Sequence, residues 1–161
     1  MPTALPPYRP TASSPYLSRA MTTPIRLFTL EEAERTLPLV RRIVADLVAT
    51  YPAWRAGVAR YEALGLEARP ESGETAEMLA VRDEVASLAE RIDGFLRELE
   101  RIGCVFKGFD AGLVDFRSLR DDHPVYLCWR LGEERITHWH EIDGGFEGRQ
   151  PIDASVLSET R

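Results

Sequence analysis

The chain is poor in the segments that identify membrane and nucleic-acid proteins. No apolar run approaches the roughly 20 residues that are needed to cross a bilayer, and no block of basic residues suggests a nucleic-acid surface. The formal net charge is −6 over 161 residues, with acidic and basic side chains mixed along the chain. We therefore expect a soluble cytoplasmic protein with neither a membrane nor a nucleic-acid partner.

Familiar catalytic motifs are missing too. The sequence has no glycine-rich phosphate loop, no Cys-x-x-Cys pair, no His-Glu-x-x-His segment and no Gly-x-Ser-x-Gly turn. Their absence argues against the common nucleotide-binding and hydrolase classes, and it leaves open whether the protein is an enzyme.

Cysteine and lysine are scarce. Cys104 and Cys128 are too few for a disulfide framework, and their apolar surroundings favour buried, reduced thiols over a metal or redox role. Lys107 is the single lysine in the chain. The preference for arginine over lysine is typical of a GC-rich genome. The alternative is that Lys107 occupies a site that needs a compact ammonium.

The composition predicts one domain at 25–152 between two irregular ends. Residues 1–24 are rich in proline, serine and threonine without apolar periodicity, which predicts a disordered tail, and residues 153–161 are expected to be frayed. The tail lacks the charged start and apolar stretch of a signal peptide. The sequence leaves open whether Met1 or Met21 is the true start.

Two heptad-patterned segments predict a long antiparallel helical hairpin of coiled-coil type, with helices at about 30–64 and 74–102. Thr29 and Glu32 form a capping box at the first helix. Pro38 and Pro52 interrupt that helix chemically, yet the heptad phase continues through both. Folding the helices about the loop at 65–73 pairs Leu47 with Ile92 and Val40 with Leu99. The seam residues are Leu37, Val40, Val44, Leu47, Tyr51, Trp54, Val58 and Tyr61, then Met78, Val81, Val85, Leu88, Ile92, Phe95, Leu99 and Ile102.

Further apolar residues lie off this seam, and they predict a homodimer in which two hairpins pack as a four-helix bundle. The alternative is that the rest of the chain covers this face. These residues are Leu39, Ile43, Val48, Leu79 and Leu96.

The segment at about 104–142 changes to short strands between glycine-containing turns, which predicts a small antiparallel β module. The fold class is therefore α+β, a long helical hairpin followed by this module. One hairpin is expected between 125–131 and 135–142, around Gly132 and Glu133.

His138 and His140 are the first candidate metal ligands, because residues two apart on a strand share a face and neutral imidazoles bind divalent metals. An even hairpin loop places them beside Val125, Leu127 and Trp129. An odd loop places them beside Tyr126, Cys128 and Arg130, where Cys128 becomes a candidate thiolate ligand. The sequence does not choose, and solvated surface histidines are the plainer interpretation.

Asp115 is a carboxylate inside an apolar stretch, so it faces solvent or needs a partner. Lys107, Arg130 and Arg149 are the candidate partners. Arg149 follows a glycine-containing segment and has the planar fork that binds carboxylate or phosphate, although a plain loop is the simpler interpretation.

Several C-terminal segments resemble the bacterial and archaeal family known as domain of unknown function 2203. They are Gly112-Leu113-Val114-Asp115-Phe116, Leu127-Cys128-Trp129, Gly132-Glu133, Trp139-His140 and Gly145-Phe146-Glu147-Gly148-Arg149. The likeness covers roughly residues 26–152. The family implies no activity, but its polar positions correspond here to Lys107, Asp110, Asp115, Glu133, His140 and Arg149. Gly108 and Arg117 depart from the family pattern, which has aspartate and proline there, and His138 lies outside it.

Two functions follow as expectations. The first is a small binding protein that holds a divalent metal ion at Asp115, Glu133, His140 and His138, or a small anionic ligand at Lys107, Asp110 and Arg149. The second is a structural or interaction module that dimerises through its hairpin and performs no chemistry.

Overall fold

A computed structural model describes residues 25–69, 71 and 73–153. The predicted disordered tail at 1–24, the end of the chain after residue 153 and the choice between Met1 and Met21 lie outside these residues.

Two long helices pack against each other, which confirms the predicted hairpin. Helix α1 spans Leu30–Glu67 and runs through Pro38 and Pro52 without interruption, while α2 spans Ala76–Ile102. The capping box is present, since the Thr29 amide donates to the Glu32 carboxylate at 2.9 Å and the Glu32 amide donates to Thr29 Oγ1 at 3.1 Å. No described helix is long and apolar enough to cross a membrane.

The described chain divides into two compact units, and the single domain at 25–152 stays a prediction. The first unit comprises residues 52–91, the second half of α1 and the first half of α2. A Cβ on Gly57 would lie 2.8 Å from Val85 Cγ2, so glycine permits close helix packing at this point. Arg60 also forms an ion pair of 2.7 Å with Glu77 across the two helices.

The second unit comprises residues 26–51 and 92–153 and contains a five-stranded antiparallel sheet in the order β1-β2-β3-β4-β5. The strands are β1 Val105–Gly108, β2 Leu113–Arg120, β3 His123–Arg130, β4 His138–Glu141 and β5 Gln150–Pro151, with a 3₁₀ helix at Phe146–Gly148. The predicted antiparallel β module is thus present. Strand β5, which lies beyond the predicted end at 142, was not foreseen.

One face of the sheet is apolar and belongs to the core of this unit. It presents Val114, Phe116, Leu127 and Trp129, all of them buried. The Ser118 hydroxyl donates to the Phe28 carbonyl at 2.7 Å, which ties this face to the segment before α1. The facing seam of α1 is also buried, as are Leu47, Ile92, Val40 and Leu99; their pairwise contacts stay a prediction.

Gly112 permits the close approach of the β1–β2 turn to α1. Its φ is +61°, and a Cβ there would lie 2.8 Å from the Leu131 Cβ and 2.9 Å from Val44 Cγ1. Any side chain at this position would meet both a strained backbone and two packed neighbours. The turn therefore needs glycine, and it holds the start of β2 in place.

Candidate metal centre

The register between β3 and β4 determines which side chains meet on the other face of the sheet. Tyr126 pairs with His140 and Cys128 pairs with His138. The connecting residues, 131–137, are odd in number, so the structure adopts the second of the two alternatives left open by the sequence. Because Asp115 pairs with Cys128 across β2 and β3, this register brings an acid, a thiol and imidazoles onto one face.

Three buried side chains form a compact cluster on this face. One ligand atom from each of Asp115, Cys128 and His140 lies within 4.8 Å of the others. The exposed fractions of these residues are 3%, 1% and 2%. His140 Nε2 lies 3.1 Å from Asp115 Oδ1, a contact that joins β2 to β4 across the intervening strand β3. The partner of Asp115 is therefore His140, and neither Lys107, Arg130 nor Arg149 forms that ion pair.

The hydrogen bonds of His140 orient its ring. Nδ1 lies 2.7 Å from the Glu141 carbonyl oxygen, and because a carbonyl only accepts, Nδ1 is the donor of this contact. Nε2 is then the nitrogen that faces the Asp115 carboxyl group.

Cys128 supplies the third group. Burial raises the pKa of its thiol to about 12, and the negative charge of Asp115 adds to that increase. The thiol is consequently protonated at neutral pH and is a poor nucleophile.

Cys104 is a second buried free thiol, and burial raises its pKa to about 12 as well. It lies outside the cluster, and its thiol donates to the Leu99 carbonyl at 3.4 Å.

Glu133 and Arg149 form a separate ion pair of 2.8 Å between the β3–β4 turn and the start of β5. Glu133 Oε2 also accepts from the Arg130 amide at 2.9 Å, and Arg149 Nη2 also donates to the Cys128 carbonyl at 3.3 Å. Burial alone would raise the pKa of Glu133. The hydrogen bonds from the Arg149 side chain and the Arg130 amide, together with the positive charges of the two guanidinium groups, lower this pKa overall. We call this arrangement the Glu133–Arg149 clasp.

The structure separates the remaining predicted site residues. Within the described part of the chain, neither Glu133 nor His138 belongs to the three-residue cluster. His138 is half-buried, with Nδ1 2.9 Å from Thr137 Oγ1. Lys107 is exposed with its ammonium 5.6 Å from the centre of the Tyr126 ring, and Asp110 is exposed in the β1–β2 turn. The proposed anion set of Lys107, Asp110 and Arg149 shows no mutual contact among the described interactions.

The three clustered groups suit a divalent transition metal. Thiolate, imidazole and carboxylate are all zinc ligands, and three protein ligands with one open position are typical of a reactive zinc site. The Nδ1 hydrogen bond to the Glu141 carbonyl is the outer contact that usually fixes the tautomer of a metal-binding histidine. Bond lengths of about 2.0–2.3 Å place the ligand atoms of a tetrahedral site roughly 3.3–3.7 Å apart. The three ligand atoms lie within 4.8 Å of one another, and the His140–Asp115 contact of 3.1 Å would lengthen slightly around an ion.

Comparison with known proteins gives the family but no activity. The model of the uncharacterized conserved proteins DUF2203 matches residues 26–152. No curated protein and no solved structure matches the chain. The match covers both helices and the whole sheet, including the three clustered residues, and the chain therefore belongs to the DUF2203 family of uncharacterized conserved proteins.

Proposed function

We propose that this protein binds one divalent transition metal, with zinc as the best fit, at Asp115, Cys128 and His140. The observation that supports the proposal is the convergence of a carboxylate, a thiol and an imidazole, all buried, with His140 Nδ1 already committed as a donor to a carbonyl. The Nε2 lone pair is then directed at Asp115, where an ion would lie between the two.

Charge balance favours a metal ion at this cluster. Transfer of an unbalanced charge into a buried site would cost several kcal/mol. A divalent ion that displaces the proton of the Cys128 thiol gains the negative charge of the thiolate, which offsets part of the positive charge of the ion.

The test is metal content and thermal stability of the untagged full-length chain. We expect close to one zinc per chain by elemental analysis. At a hundredfold excess over Kd, zinc should stabilise the fold by about 2.7 kcal/mol, which raises Tm by roughly 5–10 °C in a chain of this size.

Cys128→Ala should remove the bound zinc and the shift in Tm. Cys104→Ala is the matched control, because it removes a thiol of equal burial class and similarly raised pKa outside the cluster. The proposal is wrong if the unaltered chain holds no metal and shows no shift with zinc, manganese or iron.

The competing interpretation is that Asp115 and His140 only fasten the sheet, because their hydrogen bond joins two strands that are not neighbours. The substitution Asp115→Asn distinguishes a metal-binding role from a purely structural role. Asparagine still pairs with the imidazole but supplies no carboxylate, so a chain that stays folded yet loses zinc supports a metal role. A variant that retains full zinc affinity contradicts it.

A second function, association through the helices, is favoured by one observation in the unit at 52–91. The seam residues Trp54, Val58 and Tyr61 are only half-buried there, whereas Val40, Val44 and Leu47 in the other unit are fully buried. We propose that a second copy of the chain covers this face.

The two free buried thiols also fit a reducing compartment, and we propose a cytoplasmic location on that basis.

A further inference from the structure

Two cations and a phenol meet on the same face of the sheet as the candidate metal centre. Lys107 Nζ lies 5.6 Å, and Arg117 Cζ 5.7 Å, from the centre of the Tyr126 ring. Arg117 Nη2 also donates to the Tyr126 hydroxyl at 3.1 Å. The three residues come from the adjacent strands β1, β2 and β3. Arg117 pairs with Tyr126 across β2 and β3, whereas Lys107 lies at the register irregularity of β1 between Phe106 and Gly108.

The positive charge at this place is not balanced by acidic side chains. Among the described ion pairs, five arginines engage glutamate or aspartate, and they are Arg35, Arg60, Arg82, Arg135 and Arg149. Lys107 and Arg117 form no ion pair with any described residue. Asp115, the acid of the candidate metal centre, has its carboxylate engaged by His140. Lys107 and Arg117 therefore add two positive charges at this place that no described ion pair balances.

Tyr126 adds a neutral donor next to Arg117. Its hydroxyl oxygen accepts from Arg117, which leaves its own proton for an acceptor. The set therefore offers an ammonium, a guanidinium and a phenolic O–H, with a total charge of +2. A phosphate monoester carries a charge near −1.5 to −2 at neutral pH and has three acceptor oxygens, whereas a single carboxylate would balance only half of the positive charge.

We propose that Lys107, Arg117 and Tyr126 bind the phosphate group of a small molecule. The Tyr126 ring centre is 5.4 Å from that of His140, so such a ligand would lie beside the candidate metal centre. The proposal goes beyond metal binding and does not depend on it. Arg149, which the sequence also suggested for an anion, is held by Glu133 and takes no part.

The test uses inorganic phosphate as the probe and Lys107 as the reporter. Because the chain has one lysine, reductive methylation with ¹³C-formaldehyde labels only Lys107 and the terminal amine, which serves as an internal reference. Phosphate is titrated into metal-free protein at constant ionic strength, with chloride as the replaced anion. We expect a saturable shift of the Lys107 signal while the reference signal is unchanged.

Variants measured by calorimetry complete the test. Lys107→Gln and Arg117→Gln should each weaken phosphate binding by about tenfold, the loss of one charge-assisted hydrogen bond. Arg101→Gln, an exposed residue of α2, makes the same change in net charge and should leave the affinity unchanged.

The proposal is overturned if chloride alone reproduces the shift of the Lys107 signal. It is also overturned if all three variants bind phosphate as tightly as the unaltered chain. Since no metal is present in either measurement, a failure of the zinc proposal would not produce these results, and the two proposals are decided separately.

Discussion

At the scale of single residues, Cys128 governs the pH dependence of the candidate metal centre. Burial and the Asp115 carboxylate raise the pKa of its thiol to about 12, so this group holds its proton throughout the neutral range. A thiolate is the form that binds metal, and binding therefore releases the proton. Below the thiol pKa, zinc affinity should rise about tenfold per pH unit for each proton released.

Zinc titration between pH 6 and pH 8 with a chromophoric chelator as competitor measures this slope. The unaltered chain should release close to one proton, that of the Cys128 thiol. Cys128→Ser should bind more weakly and lose about one proton from the slope, whereas Cys104→Ser should reproduce the original slope. A flat profile in the unaltered chain would contradict thiolate coordination.

The sequence identifies a site residue when the signal lies in the neighbouring residues of the chain, and it misses a contact between residues that are far apart in the chain. Asp115 and His140 could be singled out, one as a carboxylate in an apolar stretch and the other as a family-matching histidine. Their mutual hydrogen bond could not be predicted, because it joins positions on non-adjacent strands. Cys128 entered only as the consequence of one of two loop parities, since a single residue in the loop would rotate the histidines to the opposite face.

At the scale of elements, the β3–β4 connection shows why the sheet was harder to predict than the helices. Each helical seam repeats over several turns, so single ambiguous residues do not change the prediction. A strand of four residues such as β4 has no such redundancy. Strand β5 has two residues, too few for any alternating pattern, and it is held by pairing to β4 and by the Glu133–Arg149 clasp.

The clasp makes an acid-sensitive contribution to stability. The pKa of Glu133 is lowered in the folded protein from its ordinary value of 4.5, so its ionised form stabilises the fold. This contribution is complete above the ordinary value and is lost as pH falls through the folded pKa. Glu133→Gln should therefore destabilise the chain by about 1–3 kcal/mol at pH 7, and the difference should narrow as pH falls below 4.5.

Urea denaturation at pH 7 and at successively lower pH measures the effect. Glu134→Gln provides the control, because Glu134 is the exposed neighbour in the same turn and only its backbone carbonyl accepts from Arg41. A stability difference for Glu133→Gln that is the same at every pH would show that the charge of Glu133 does not contribute.

At the scale of the whole molecule, the class of fold followed from the order of patterns along the chain. Heptads, then alternating short segments between glycines, predicted an α+β protein, and the helical hairpin and antiparallel sheet are both present. The division into two compact units was not foreseen. The heptad pattern does not indicate this division, because the seam continues through Tyr51 and Trp54 without a change of period.

The unit at 52–91 is the part of the molecule where association between copies should occur. A pair of helices alone covers only part of each seam, and Trp54, Val58 and Tyr61 accordingly remain half-buried. Leu79 of α2 is 38% exposed in the same unit. Burial of these side chains against a second hairpin would gain roughly 25 cal/mol for each Å² of apolar surface removed from water.

Light scattering on the full-length chain at micromolar concentration should therefore give twice the chain mass of 18.2 kDa. Leu79→Gln should shift the equilibrium toward monomer. Leu119→Gln is its counterpart on the sheet, with a nearly equal exposure of 39%, and should leave the dimer intact. Monomer mass for the unaltered chain would mean that these half-buried side chains face water, and the helical hairpin would then not act as a dimerisation surface.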